Sequence, residues 1–111
     1  MSDWRQIYKE RLMTADEAAK LVKSGDRVGT HHATAEPKIL TDAICRRADE
    51  LENVKIIGHN LWETPRFLQP QYAKSFRHIS QFLDRGARQA YREGRVDPLP
   101  AFYCQMPKYY R

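Results

Sequence analysis

Helical and extended periodicities alternate along the first half of this chain, and that alternation limits the fold more than any single residue does. Thr14-Ala-Asp-Glu17 is a capping box, in which the threonine hydroxyl accepts from an early backbone amide while the glutamate reaches back to the cap. Behind it Ala18, Ala19, Leu21 and Val22 make an apolar stripe, and Gly25 is the natural stop. Asp26-Arg-Val-Gly-Thr-His-His32 then reads as a short strand, weakened by Gly29. Thr34-Ala-Glu-Pro37 turns the chain, and Pro37 opens a second helix. Its pattern predicts Ile39, Leu40, Ala43, Ile44 and Leu51 inward, with Lys38, Asp42, Arg46, Arg47 and Glu50 outward. Val54-Lys-Ile-Ile-Gly58 is the next strand. Helix, strand, helix, strand is the order of a right-handed crossover unit, so the fold class is α/β with a parallel sheet.

The second half is less regular. Pro65 and Pro70 interrupt the stretch 61–71. Phe76-Arg-His-Ile-Ser-Gln-Phe-Leu83 reads as extended, and 87–93 as a short helix closed by Gly94. Asp97-Pro-Leu-Pro100 reads as a turn, followed by a buried strand over 101–105. Pro107 suits a first helical position, but only a few residues follow it. The expectation is an incomplete parallel-sheet domain, with residues 1–111 forming the front of a larger α/β enzyme. At 111 residues the chain is one domain or part of one.

Charge is unevenly placed. The overall balance is +5, made of −1 through Pro65 and +6 from Arg66 onward. A basic half attracts nucleic acid, a membrane surface or an anionic metabolite, or is simply a solvated face. Tyr91, Phe102, Tyr103, Tyr109 and Tyr110 interleave with its Arg and Lys, as a single-strand nucleic-acid module would require. Those aromatics fall on expected core positions, however, so nucleic acid is not the expected partner. Cys45 and Cys104 lie far apart in apolar contexts and read as small buried hydrophobes in a reducing compartment. The N-terminus is too polar for a signal peptide, and no apolar run approaches the roughly 20 residues of a membrane span. A cytoplasmic protein with no membrane partner is expected.

Four histidines invite a metal reading, but their spacing does not support one. His31 and His32 are adjacent and would point to opposite faces of a strand, while His59 and His78 lack a ligand-spaced partner. No glycine-rich phosphate loop is present. The best candidate site is the strand-to-helix loop 29–37, because ligands gather at the carboxyl ends of strands in open α/β sheets. Amides there meet anions or a developing oxyanion. Thr34 or Glu36 also suits a helix cap, and capping or positioning is the expected role of Glu36. A carboxylate held as an anion by a helix end is a poor nucleophile.

At this loop the sequence resembles a known family. Ser24-Gly-Asp-Arg-Val28, His32-Ala33 and Glu36-Pro37 resemble the N-terminal region of the acetyl-CoA hydrolase/transferase family, near its 4-hydroxybutyrate CoA-transferase branch. The likeness continues through Arg47-Ala-Asp-Glu-Leu-Glu-Asn-Val54, Phe76-Arg-His78, Glu93-Gly-Arg-Val-Asp97, Pro100, Phe102 and Met106-Pro107, with Arg111 in register. It implies an enzyme in which a glutamate attacks an acyl-CoA thioester and a glutamyl-CoA thioester then passes CoA to a second carboxylic acid. Coenzyme A is implied as a substrate, with no bound cofactor, and the partners are an acyl-CoA and a short-chain carboxylate. An acetyl-CoA hydrolase is the family's other activity. The nucleophilic glutamate is expected beyond position 111, since none of Glu36, Glu63 and Glu93 matches it, so this segment alone should be inactive.

Within that likeness His31, His32, Glu36 and Pro37 are the expected substrate-binding residues, with no catalytic or metal residue in the chain. Three departures stand out. His31, Ala35 and Asp84 occupy positions where the family pattern leads one to expect glycine, and Leu61-Trp-Glu-Thr-Pro65 fits loosely. A non-catalytic fragment completed by another polypeptide is a third reading. Its unpaired sheet edge and uncovered apolar face would call for a homo-oligomeric copy or a missing C-terminal half.

Overall fold

A computed structural model describes residues 3–110. The sheet follows from short β-branched runs, each preceded by a helical segment. Strands β1 (Arg27–Gly29), β2 (Val54–Ile57), β3 (Phe76–Ser80) and β4 (Val96–Pro98) lie side by side in that order, all parallel. Helices α1 (Trp4–Arg11) and α2 (Ala15–Ala19) precede β1, and α3 (Lys38–Arg46) crosses from β1 to β2. Helix α4 (Arg88–Arg92) leads into β4, and α5 (Met106–Tyr109) follows it. Among the described residues no helix is long and apolar enough to cross a membrane.

Register fixes the core. Val28 pairs with Ile56, Ile56 with His78 and His78 with Val96, so one row of side chains runs across the sheet on a single face. Helix α3 covers this face with Ala43, Ile44 and Cys45, and Phe67 and Leu68 complete it. Burial pushes the Cys45 thiol up to about 12, so it is a protonated packing group. His78 sits in the middle of the row, 1% exposed. Its Nδ1 lies 2.9 Å from the Ile56 carbonyl oxygen, which only accepts, so Nδ1 carries the proton. Burial holds its pKa down at about 4, and the ring is neutral.

The capping box forms as expected: Glu17 N donates to Thr14 Oγ1 and Thr14 N to Glu17 Oε2. Gly25 and Gly94 both take left-handed φ, +84° and +74°, at the turns where the sequence placed stops. Helix α1 was not anticipated. Asp3 caps it, and among its residues none is buried; Trp4 and Tyr8 face outward, as does Leu12 just beyond it.

Several expectations are corrected. The fourth strand is 96–98, not 101–105, and 97–100 is not a free turn. Pro98 is tolerated because, among the described residues, β4 is an edge strand with no ladder on its outer side. Residues Tyr103–Gln105 instead form a 3₁₀ turn, closed by Phe102 N donating to Gln105 Oε1. Strands expected over 26–32 and 76–83 stop at Gly29 and Ser80, where the chain leaves the ladder for the loops.

Leu21, Ile39 and Leu40 are exposed, because α2 ends at Ala19 and the first turn of α3 overhangs the sheet end. Arg47 points inward and donates to the Ala19 and Val22 carbonyls, ending α2 as a side-chain cap. Cys104 is exposed, as are Tyr91, Phe102, Tyr103 and Tyr110, since the segment carrying most of them is no strand. Much of the basic half is engaged locally: Arg77 holds Asp97, and Arg95 holds Glu93 and the Leu68 carbonyl.

Candidate functional site

Four parallel strands end on one side of the sheet, and the loops that follow them meet there. The ladder is prolonged by three further bonds, Thr30 N to the Ile57 carbonyl (2.8 Å), Gly58 N to the Ile79 carbonyl (3.2 Å) and Leu99 N to the Ser80 carbonyl (2.8 Å). Gly58 is required by this approach, because a Cβ there would overlap the Thr30 hydroxyl. Ala33 N then donates to the Asn60 carbonyl at 3.2 Å, with both residues in left-handed backbone (φ +54° and +56°). For alanine that conformation carries strain of about 1 kcal/mol. The left-handed position of this loop is therefore Ala33, and neither His31 nor Ala35 occupies it.

Each loop contributes one ring to a cluster. His32 follows β1, His59 follows β2, Phe82 follows β3 and Tyr103 follows β4. His32 stacks on His59 with centroids 4.4 Å apart, and His59 meets Phe82 and Tyr103 edge-on at 5.5 and 5.7 Å. His59 is buried, its Nδ1 has no partner, and burial lowers its pKa, assisted by His32 and opposed by Asp84. A neutral ring in an aromatic cluster is the result. Asp84 ties two loops together by accepting from Leu61 N (2.7 Å) and Ala87 N (3.0 Å). Glycine could not do this, so the departure at this position is structural.

Loop 29–37 divides its expected site residues between two hollows. Glu36 and Pro37 line a cleft of about 580 Å³ with Ile39, Leu40 and Trp62, so its walls are largely apolar. His31 and His32 line a separate hollow of about 290 Å³ beside Tyr103 and Tyr110. The four residues do not converge on one point. No side chain caps α3, so neither Thr34 nor Glu36 has the capping role expected of it. The Thr41 hydroxyl bonds the Lys38 carbonyl instead.

Glu36 is half-buried, and its Oε1 has no hydrogen-bond partner. Burial raises its pKa; Asp42, Glu63 and Asp84 add to that, while Lys38 opposes it. The nearby cations are already engaged, Lys38 with Glu63 at 2.6 Å and Arg66 with Asp42 at 3.6 Å. An acid in an apolar cleft with no counter-charge of its own is suited to exchanging a hydrogen bond with a ligand.

Sequence reasoning missed Trp62, Gln81 and Asp84 as site residues and weighed His59 only as a metal ligand. Their common signal is position, within a few residues after an apolar strand. Among the described residues no three His, Cys, Asp or Glu side chains converge as a metal cluster would.

The model of the acetyl-CoA hydrolase/transferase N-terminal domain matches residues 1–111. Over 109 residues the chain is 28% identical to 4-hydroxybutyrate coenzyme A transferase of Clostridium kluyveri, covering 98% of this chain and 25% of that protein. It is 33% identical over 109 residues to butyryl-CoA:acetate CoA-transferase of Anaerostipes caccae, covering 97% and 24%. The chain thus spans about a quarter of the length of the curated relatives it matches. RipA from Yersinia pestis has the same fold, with a TM-score of 0.82 at 22% identity over 96% of this chain and 27% of that one. The chain belongs to the acetyl-CoA hydrolase/transferase family, matched by the model of that family's N-terminal domain.

Proposed function

We propose that this chain is the front part of the N-terminal domain of a CoA-transferase that moves CoA between an acyl-CoA and a short-chain carboxylate. The observation that carries the reading is the apolar cleft at the carboxyl ends of the strands, in a chain matched to the family along its whole length. Glu36 and Pro37 form a wall for the acyl group, and His31 and His32 shape the neighbouring hollow. CoA is a substrate here, and the protein needs no resident cofactor.

The chemistry is covalent catalysis by a carboxylate located outside this chain. That glutamate attacks the thioester carbonyl, giving an acyl-glutamyl anhydride and CoA thiolate. The thiolate attacks the glutamyl carbonyl, releasing the donor's carboxylate and leaving a glutamyl-CoA thioester. The acceptor carboxylate then attacks that thioester, expelling the thiolate, which returns to the new acyl carbonyl and frees the glutamate. Each step conserves the energy of a thioester or anhydride, which is why water must be kept out. A cleft with apolar walls serves that exclusion.

The decisive experiment incubates the full-length gene product with butyryl-CoA and isotopically labelled acetate. Labelled acetyl-CoA, together with a protein adduct heavier by one CoA less water, is the expected result. Free CoA formed with no labelled acetyl-CoA would mean hydrolysis, the family's other activity, and would overturn transfer. The 111-residue segment by itself is expected to move no CoA. Turnover by the segment that Glu36→Gln abolishes would relocate the nucleophile to this chain.

A further inference from the structure

Glu36 differs from every other carboxylate around the cleft. Glu63 has Lys38, Asp42 has Arg66 and Asp84 has two backbone amides, whereas Glu36 has no cation of its own, and its Oε1 is shut away from water without a donor. A buried carboxylate oxygen with no donor is costly, while the same oxygen as the carbonyl of a neutral acid is a much weaker acceptor and costs less. The other oxygen then carries the proton. A second fact points the same way. The cation lining this cleft, Lys38, already pairs with Glu63, so an incoming carboxylate must share that ammonium with another carboxylate.

We infer that Glu36 binds the carboxylate substrate as a neutral acid, donating its proton in a hydrogen bond to the anion, so that wherever the free enzyme holds Glu36 as an anion, carboxylate binding takes up one proton. This rests on the transferase reading and adds to it how an anionic substrate is admitted to an uncompensated acidic cleft. The groups facing Glu36 are Lys38 and Asp42 from α3, Glu63 and Arg66 from the segment after β2, and Asp84 from the loop after β3. All three of these carboxylates disfavour a further negative charge, and so does burial, in agreement with the raised pKa of Glu36. An acid–carboxylate hydrogen bond is charge-assisted, which makes it a strong one. Glu36 acts here as a binding residue and forms no covalent bond.

The test uses the full-length enzyme, with butyrate as the varied carboxylate and acetyl-CoA as the donor. Above the Glu36 titration, KM for butyrate should rise by up to about tenfold per pH unit, because the competent form must first gain a proton. Glu36→Gln places a permanent amide donor at the same position, so its KM should be flat over that range. Calorimetry of butyrate binding above the Glu36 titration, in buffers of different ionisation enthalpy, should show about one proton taken up by wild type and none by the variant. A Gln variant that keeps the wild-type slope and proton uptake assigns the proton to the acid itself or to another residue, and overturns the inference. Its failure is separable from failure of the transferase reading. Exchange with a pH-independent KM sinks this inference alone, whereas proton-linked butyrate binding without any exchange sinks only the assigned reaction.

Discussion

The covered face of the sheet and its carboxyl end differ in how many polar atoms they enclose without a partner. On the covered face Val28, Ile56, His78 and Val96 form an unbroken row, and its single polar member is kept neutral, with Nδ1 bonded to the Ile56 carbonyl and Nε2 enclosed without a partner. At the carboxyl end the loops after β1, β2 and β3 each hold one buried side-chain atom without a partner: Glu36 Oε1, His59 Nδ1 and Gln81 Oε1. Native proteins pair nearly all such atoms, so three exceptions in three consecutive loops mark a surface waiting for a ligand or for more polypeptide. Stability resides in the row, and chemistry gathers where the strands stop.

The largest expected effect tests the row. Phe67 is 2% exposed and its ring lies 5.4 Å from that of His78. Phe67→Ala should cost about 3–5 kcal/mol in urea denaturation, as a buried aromatic deletion does. It should also admit water to His78 Nε2 and move the His78 titration back toward its ordinary value, observable by NMR. A cost under about 1 kcal/mol would mean the face is not a close-packed core.

A second test separates the two regions by pH. His78 has a folded pKa of about 4 against an ordinary 6.5, so between those values the unfolded chain binds a proton that the folded chain refuses. The stability contribution is full above pH 6.5 and falls by about 3 kcal/mol as pH drops to 4. His78→Leu should remove that part of the acid limb, seen as the difference between the two stability–pH curves. Equal acid limbs would place the titration elsewhere, with buried His59 as the next candidate.

The same contrast explains what could be read without coordinates. Most of the row was legible because apolar residues in short runs, a capping box and glycine stops have local signatures. The box at 14–17 and the strand expected over 54–58 stand within a residue of the pattern, while the helix expected from Pro37 through Leu51 ends at Arg46. The fourth strand was misplaced because Pro98 argues against a strand locally, and only its edge position permits it. Arg47 was read as solvent-facing because nothing in its own helix announces two carbonyls across the fold. At the rim, the candidate loop was legible from strand-to-helix order, but the split of His31 and His32 from Glu36 and Pro37 was not. The ring cluster joins residues from four loops, and no periodicity links positions 32, 59, 82 and 103.

Asp84 offers a sharper probe of the rim. Asp84→Ala removes two hydrogen bonds to backbone amides, from Leu61 and Ala87, and should cost about 1–2 kcal/mol. Beyond stability it takes away a negative charge that raises the Glu36 pKa, so the rise in KM for butyrate should begin at lower pH. Asp84→Asn retains one acceptor and removes the charge, which separates the structural effect from the electrostatic one. A stability loss without any shift in the KM profile would leave Asp84 as a loop tie only.

The smallest stability effect, and the cleanest test of the contrast, belongs to Lys38. Its ion pair with Glu63 is exposed on both sides, so Lys38→Gln should leave the unfolding midpoint unchanged within error. Yet Lys38 lowers the Glu36 pKa, and Glu63, which already raises it, would do so with no paired ammonium to offset its charge. Both changes favour the neutral acid. The KM rise for butyrate should therefore begin at higher pH than in wild type, the reverse of Asp84→Ala. Opposite shifts from two single charge deletions, one structurally costly and one not, cannot arise from a general loosening of the fold. Shifts of the same sign would show that the rim responds to packing, as the covered face does, and the distinction between the two regions would then collapse.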